Sequence, residues 1–312
     1  MKRNALLVLA GLLIGALVSA CARQQVETLG QVVGTNTQAV ETNTQPVEAN
    51  SQAAEANAQA AEHLERGLEI RLQGTFELAI EEFTMAIALD PEYIEAYINR
   101  GVAYADKGEL DRAIADFDHA LELDPENAEA YSNRGNAYLD KGDLDRAIAD
   151  YDQAIELDPQ YAFAYNNRGN AYHFKGDLVR AIADYDQAIT LDPLFAMAYS
   201  NRGATYDEKG ELDRAIADYD QAIELDSQYA LAYLNRGFAY LRIGNHDQAL
   251  ADLGKVIEID SSFADAYYLR GITYSEIGER EKAFSDLEQS IELGLAAAMK
   301  QRAVEILEDL GQ

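Results

Sequence analysis

Hydrophobic and polar positions along this chain recur with a period of 34 residues, without the two-residue alternation of a β-strand. Seven copies in register begin at Ala60, Ile94, Ala128, Ala162, Ala196, Ala230 and Ala264. The third copy reads AEAYSNRGNAYLDKGDLDRAIADYDQAIELDPQY. A repeat of this length predicts an all-α stack of helical pairs. Such a stack offers a surface that holds other molecules, and it does not favour a pocket built for chemistry.

Small residues occupy the same places in every copy: glycine at positions 8 and 15 and alanine at position 20. A glycine inside a helix costs ~1 kcal/mol relative to alanine, so position 8 indicates close packing of two backbones. Position 15 falls where the first helix should end, and glycine there predicts a left-handed cap. Asp-Pro ends the first four repeats, and Ser227 and Ser261 replace the proline in the next two while keeping a side chain able to cap.

These positions, together with Tyr at 11 and an aromatic residue or Leu at 24, resemble the tetratricopeptide repeat. The resemblance implies a right-handed α-solenoid of seven helix-turn-helix units, with the first helix of each unit lining a concave face. The units would span residues 60–93, 94–127, 128–161, 162–195, 196–229, 230–263 and 264–297. Residues 298–312 would complete a capping helix, because Leu295, Met299, Ala303, Ile306 and Leu310 form one apolar stripe.

The first 20 residues have the pattern of a signal peptide, in which Lys2 and Arg3 precede an apolar run that ends before Cys21. The run is too short to span a bilayer. A Cys directly after small residues resembles the bacterial lipobox, which implies cleavage before Cys21 and acylation of this residue, the only Cys in the chain. In a Gram-negative host, Ala22 after the Cys favours the outer membrane, with the protein on its periplasmic face. The alternative is an ordinary signal peptide with an incidental Cys.

Residues 21–59 contain no aromatic residue and repeat with a period of seven. Low hydrophobicity and Pro46 predict a flexible tether. The alternative is a short coiled coil, because Val33, Val40, Val47, Ala54 and Ala61 share one heptad position. This Val-x-x-Asn spacing resembles the stalk of trimeric bacterial adhesins and would make the protein a trimer.

The formal net charge of −30 disfavours nucleic acid and anionic lipid as partners of the repeats. We expect protein or peptide partners that are neutral to basic and carry apolar side chains. No catalytic order, phosphate loop or Cys-based metal site occurs in the sequence, so we expect a non-enzymatic protein without cofactor or metal.

Two recurrent polar positions are candidate functional sites. Position 6 is Asn in five successive repeats, and a matching Asn ladder holds extended peptides in the repeats of O-linked N-acetylglucosamine transferases. An Asn side chain offers both a donor and an acceptor to a peptide group. The alternative is that these residues serve packing alone. The candidate peptide-binding residues are Asn99, Asn133, Asn167, Asn201, Asn235, Asn136, Asn170, Phe163, Phe174, Leu234 and Phe238.

Position 7 is Arg, where the family usually has Leu, and position 23 is acidic throughout. This parallel occurrence predicts an ion pair between the two helices of each repeat rather than an anion site. The predicted structural pairs join Arg100, Arg134, Arg168 and Arg202 to Asp116, Asp150, Asp184 and Asp218. The sequence therefore predicts a lipid-anchored adaptor that binds extended peptides, with a trimeric assembly subunit as the alternative.

Overall fold

The structure, a computed structural model, describes residues 47–311, with side chains from residue 54 onward. This part of the chain forms fifteen α-helices and contains no strand, which confirms the all-α prediction. The helices are α1 (Val47–Leu72), α2 (Phe76–Leu89), α3 (Ile94–Asp106), α4 (Leu110–Leu123), α5 (Ala128–Asp140), α6 (Leu144–Leu157), α7 (Ala162–Phe174), α8 (Leu178–Leu191), α9 (Ala196–Glu208), α10 (Leu212–Leu225), α11 (Ala230–Ile243), α12 (His246–Ile259), α13 (Ala264–Glu276), α14 (Arg280–Glu292) and α15 (Ala297–Gly311).

The helices form two compact blocks, which are described separately. The N-terminal block comprises residues 47–175 and the C-terminal block residues 176–311. The predicted signal peptide, Cys21 and the tether up to residue 46 lie outside the described residues. Odd-numbered helices from α1 to α13 are the first helices of the seven repeats, and even-numbered helices are the second.

Position 8 glycine lies against the residue at position 24 of the same repeat. A Cβ added to Gly101 would stand 2.7 Å from a ring carbon of Phe117, and one added to Gly135 would stand 2.7 Å from Tyr151. The ring of Phe117 is 1% exposed, and alanine at position 20 is fully buried beside it. Because position 8 has no side chain, the aromatic ring at position 24 can pack directly against the backbone of the first helix.

The turn inside each repeat depends on a left-handed glycine. Gly142 has φ 78°, and the corresponding glycines of the other six repeats have φ between 75° and 83°. No atom lies within 4 Å of a Cβ added at Gly142, so backbone conformation, not space, requires glycine there. The turn between repeats is capped by the Asp at position 31, as in Asp226, whose carboxylate accepts from the Gln228 backbone amide at 2.9 Å. The capping group is thus the Asp and not the Ser that follows it.

First helices lie on the inner face of each block and second helices on the outer face. In the N-terminal block α1 contacts α3, α3 contacts α5 and α5 contacts α7; in the C-terminal block α9 contacts α11 and α11 contacts α13. Successive second helices make no contact of that extent in the described residues. We call the side lined by first helices the inner face, and the opposite side the outer face.

The first helix is longer than predicted. Helix α1 has 26 residues and begins at Val47, although the tether was expected to extend to residue 59. Pro46 directly precedes the helix, which is consistent with its inability to lie inside one. Residues 47–59 are rich in Ala, Glu and Gln, which favour helix, so the helix continues out of the first repeat. At the other end of the chain, α15 buries Met299 and Ala303, in the role expected of a capping helix.

Candidate protein-binding surface

The arginines at position 7 are held by the second helix of their own repeat. Arg100 donates from Nε and Nη2 to the two carboxylate oxygens of Asp116, each at 2.8 Å. The same bidentate pair joins Arg134 to Asp150, Arg202 to Asp218, Arg236 to Asp252 and Arg270 to Asp286. Arg168 and Asp184 lie in different blocks, so their separation is not described. The bidentate geometry gives these arginines a structural role.

Each of four arginines also reaches the preceding repeat, a contact that we did not expect from the sequence. Arg134 Nη1 donates to Asp118 Oδ1 at 2.6 Å, and the side chain of Asp118 is 49% exposed. The same contact joins Arg168 to Asp152 at 2.6 Å, Arg202 to Asp186 at 2.6 Å and Arg236 to Asp220 at 2.5 Å. The hydrogen bonds to Asp150 and Asp118 raise the pKa of Arg134. Asp at position 25 in four consecutive repeats was the available sequence signal.

The Asn ladder is not uniform. Asn99, Asn133 and Asn235 are half-buried, and Asn99 donates from Nδ2 to the Glu95 carbonyl of its own helix at 2.8 Å. Asn201 is 6% exposed and Asn170 is 5% exposed. The open amides of the inner face are therefore those of repeats two, three and six.

Asn167 lies in a buried polar network of the N-terminal block. Its Nδ2 donates to Asn136 Oδ1 at 2.9 Å, and the same oxygen accepts from the Tyr151 hydroxyl at 2.7 Å. Asn166 donates to Asn167 Oδ1 at 3.1 Å, and Asn167 is only 3% exposed. Both ends of the Asn167 amide are satisfied inside the protein, which argues against a direct contact of Asn167 with a peptide. Asn136 is half-buried, and its contact with a peptide stays a prediction.

The predicted apolar contacts also divide into open and closed residues. Leu234 is 1% exposed and Phe238 is 7% exposed, so both are packing residues, which corrects their prediction as peptide contacts. Their size explains the difference, because large side chains at positions 5 and 9 fill the space between neighbouring first helices. Phe163 is half-buried and Phe174 is 39% exposed, so these two remain available on the N-terminal block.

Two carboxylates on the inner face of the N-terminal block have no basic partner among the described residues. Glu95 is the second residue of α3 and Glu129 the second residue of α5, at the same position of successive repeats. Burial raises the pKa of Glu129, and the charge of Glu95 raises it further, although the Glu129 side chain keeps access to solvent. The two carboxylates therefore repel each other, and a cation placed between them would relieve that repulsion.

Buried titratable groups occur on the inner face of each block. In the C-terminal block Asp207 is 3% exposed and pairs with Arg242, and burial raises its pKa to about 6. In the N-terminal block Arg71 pairs with Asp106 at 3.1 Å. His173 is 7% exposed, and burial lowers its pKa to about 4, so it is neutral at pH 7.

No helix within residues 47–311 is long and apolar enough to cross a membrane. The same residues contain no group of three or more His, Cys, Asp or Glu placed to hold a metal ion.

Models of the tetratricopeptide repeat match the chain along most of its length. One model, described as TPR repeat, matches residues 67–108, 103–142, 135–176 and 206–244. Models described as Tetratricopeptide repeat match residues 162–195, 230–263, 184–217 and 264–293. The chain belongs to the tetratricopeptide repeat family. Proteins of this family bind protein or peptide partners and are generally non-enzymatic scaffolds.

Solved structures share the solenoid fold. A tetratricopeptide repeat protein from Parabacteroides merdae is 21% identical, with a TM-score of 0.61 over 82% of this chain and 100% of that chain. Yeast Tom70 is 19% identical, with a TM-score of 0.62 over 99% of this chain and 73% of that chain. The APC/C hetero-tetramer Cut9–Hcn1 is 15% identical, with a TM-score of 0.66 over 85% of this chain and 55% of that chain. At these identities the similarity shows the fold alone. A search of curated proteins found no match.

Proposed function

We propose that this protein is a non-enzymatic adaptor that binds an extended, basic peptide segment on the inner face of its N-terminal block. The observation that supports this proposal is the pair of repelling carboxylates, Glu95 and Glu129, without a basic partner in the described residues. Half-buried Asn99 and Asn133 lie one turn along the same two helices. They add donors and acceptors for a peptide backbone.

The spacing of the repeats suggests the form of the ligand. First helices of successive repeats are in contact, which sets their axes ~9 Å apart. An extended chain rises ~3.3 Å per residue, so Glu95 and Glu129 would meet ligand side chains about three residues apart. The favoured ligand therefore has the pattern Lys-x-x-Lys or Arg-x-x-Arg, with apolar residues between or beside the cations.

A binding measurement with two charge-matched variants tests this proposal. Fluorescence anisotropy would compare Lys-x-x-Lys and Gln-x-x-Gln peptides on the wild type, on Glu95→Gln/Glu129→Gln and on Glu122→Gln/Glu156→Gln. Glu122 and Glu156 occupy one position of the second helices of the same two repeats, so the control removes equal charge from the outer face. We expect the first variant to bind the basic peptide about tenfold more weakly, a loss of ~1.4 kcal/mol.

Equal weakening in both variants would show a long-range effect of net charge and would contradict a site at Glu95 and Glu129. Binding that does not weaken between low and high salt would also contradict the electrostatic basis of the proposal, because exposed charges are screened.

We further propose that acylated Cys21 anchors the adaptor at the cell envelope, at the periplasmic face of an outer membrane. The support is the sequence alone: a short apolar run, small residues and one Cys directly after them. Two or more acyl chains would hold the protein stably on a membrane. Metabolic labelling with radioactive palmitate tests this, and labelling that persists in Cys21→Ser would contradict it.

The alternative function, a structural subunit that trimerises through residues 29–61, receives support from α1. Its 26 residues are about twice the length of the other first helices, and its exposed part carries Ala54 at the predicted heptad position. An isolated helical extension of this length is marginal in water, so a neighbouring copy would stabilise it. Sedimentation equilibrium would measure the oligomeric state. A trimer would support the structural subunit, and a monomer would exclude it.

A further inference from the structure

A groove lies on the outer face of the N-terminal block, between α2 and α4. Its volume is about 800 Å³, and its lining includes Ile80, Thr84 and Met85 from α2, Arg100 and Tyr104 from α3, and Arg112 from α4. The groove is on the side opposite Glu95 and Glu129, so its use would be independent of the inner face. The side chain of Met85 is 53% exposed within it.

This groove lacks a carboxylate that is present at the same position beside four later arginines, and Gly254 leaves the position beside Arg270 without one as well. In four later repeats the position 7 arginine donates to an Asp of the preceding repeat, as Arg134 does to Asp118 at 2.6 Å. The residue that corresponds to Asp118 in the first groove is Thr84. Arg100 Nη1 donates to the Thr84 hydroxyl at 3.2 Å, and that hydroxyl donates to the Ile80 carbonyl at 2.7 Å. A neutral acceptor thus replaces a charged one.

Arg100 is the arginine of this groove whose Nη1 donates to a neutral hydroxyl where its counterparts donate to a carboxylate, and Glu81 and Glu82 also line the groove. Arg112 is occupied by Glu109 at 2.7 Å and by the Tyr104 hydroxyl at 2.6 Å. Glu82 pairs with Arg66 and contacts His63, and Asp116 is held by Arg100 itself. Arg100 has one carboxylate partner, where Arg134, Arg202 and Arg236 each have two. A charge-assisted bond to a second carboxylate would be shorter and stronger than the bond to Thr84.

The apolar side of the groove differs from the later grooves as well. Met85 occupies position 26, where the next four repeats carry His119, Gln153, Gln187 and Gln221. A flexible, exposed Met next to Ile80 offers adaptable apolar contact. The apolar side chains of α2 and the guanidinium of Arg100 on α3 therefore line the same groove.

We propose that the groove between α2 and α4 is a docking site for a partner segment that places an Asp or Glu carboxylate on Arg100 and an apolar side chain on Met85. A carboxylate is the expected partner of Arg100, because the next four repeats carry an Asp at the position of Thr84. The partner carboxylate would occupy the place that Asp118, Asp152, Asp186 and Asp220 occupy in their own grooves.

Substitution of Thr84 by Asp tests the proposal, because it fills the site from within the protein. The full chain, purified in mild detergent, would be used to select random twelve-residue peptides by display (~40 Å of ligand when extended). Each selected peptide would then be measured by fluorescence anisotropy on wild type, Thr84→Asp, Thr190→Asp and Glu95→Gln/Glu129→Gln. Thr190 is the matched control, since it is an exposed helical Thr whose hydroxyl also donates to the carbonyl four residues earlier, at 2.8 Å.

We expect a set of peptides with an Asp or Glu near Leu, Met or Phe, whose affinity falls at least tenfold on Thr84→Asp and not on Thr190→Asp. Replacement of the peptide carboxylate by the corresponding amide should cause the same loss. Thr84→Asp should also raise the melting temperature, because it restores the ion pair of the later repeats, which shows that the variant is folded. Met85→Gln, which copies the next repeats, should weaken the same peptides.

A selection that yields no peptide sensitive to Thr84→Asp overturns the proposal. Peptides that lose affinity only with Glu95→Gln/Glu129→Gln would support the inner-face function and also overturn docking in this groove. Equal loss on Thr84→Asp and Thr190→Asp would show a general charge effect and would overturn it as well. If basic peptides did not bind at Glu95 and Glu129, the effect of Thr84→Asp on the selected peptides could still be measured. The two proposals can therefore be contradicted independently.

Discussion

Replacement of Gly101 by Ala tests whether position 8 glycine is required by packing. The added Cβ would lie 2.7 Å from Cε1 of Phe117 and 3.0 Å from two further ring carbons. Carbon atoms pack best at ~3.5–4.0 Å, so the ring or the helix must move by nearly 1 Å. Because Phe117 is 1% exposed, any movement disturbs the core around it.

Two effects of this substitution oppose each other. Alanine favours a helix over glycine by ~1 kcal/mol, whereas overpacking of a core costs ~1–3 kcal/mol or more. The contact is with a rigid ring, so we expect the upper part of that range and a net loss of ~1–2 kcal/mol in the free energy of unfolding. Gly254 is the internal control, since it lies inside α12 and a Cβ there meets nothing within 4 Å. Gly254→Ala should stabilise the protein by up to ~1 kcal/mol.

Urea unfolding followed by far-ultraviolet circular dichroism would measure both variants, and hydrogen exchange would locate the change in α3 and α4. Local measurement matters because a repeat array does not always unfold as one unit. Phe117→Leu provides a rescue, since Leu253 and Leu287 occupy that position in the last two repeats. The cost of Gly101→Ala should fall by ~1 kcal/mol in the Leu background. If Gly101→Ala increased the free energy of unfolding, as Gly254→Ala is expected to do, the packing argument would be refuted.

Three further predictions concern other parts of the molecule. Arg134→Ala should lower the free energy of unfolding by ~3 kcal/mol, because it leaves Asp150, 6% exposed, as an unpaired buried charge. Asp118→Ala should lower it by only ~0.5 kcal/mol, because Asp118 is half exposed. Similar losses for the two variants in urea unfolding would contradict this contrast. His173 has a folded-state pKa of about 4 against 6.5 in the unfolded chain, so its contribution of ~3 kcal/mol is present above pH 6.5 and is lost as the pH falls toward 4. His173→Leu, which copies two other repeats, should flatten the dependence of the urea midpoint on pH in that window, and an unchanged slope would exclude His173 as its source. Gly142→Ala should lower stability by ~1 kcal/mol through strain at φ 78°, and a neutral result in thermal unfolding would show that the turn relaxes.

Much of the candidate site could not have been predicted from one repeat at a time. The Asn ladder is regular in sequence, yet Asn167 is buried and hydrogen-bonded to Asn136 and Asn166, while Asn133 stays half-buried. The difference arises because repeat four carries a second Asn before Asn167, and repeat three carries Asn136 across from it. A single period does not reveal which side chains from successive repeats come within hydrogen-bond distance.

The helical pairs, the left-handed turn glycines and the close approach at position 8 were determined by the sequence itself. Each follows from local backbone conformation or from packing inside one 34-residue repeat. Within a repeat, the spacing of residues along a helix decides which face of the helix a side chain lies on. Only the tertiary structure decided the rest: the second carboxylate of Arg134, the closure of Leu234 and Phe238, the repulsion between Glu95 and Glu129, and the groove beside Arg100. Those features depend on distances between side chains of different repeats, and such distances exist only after the helices have stacked.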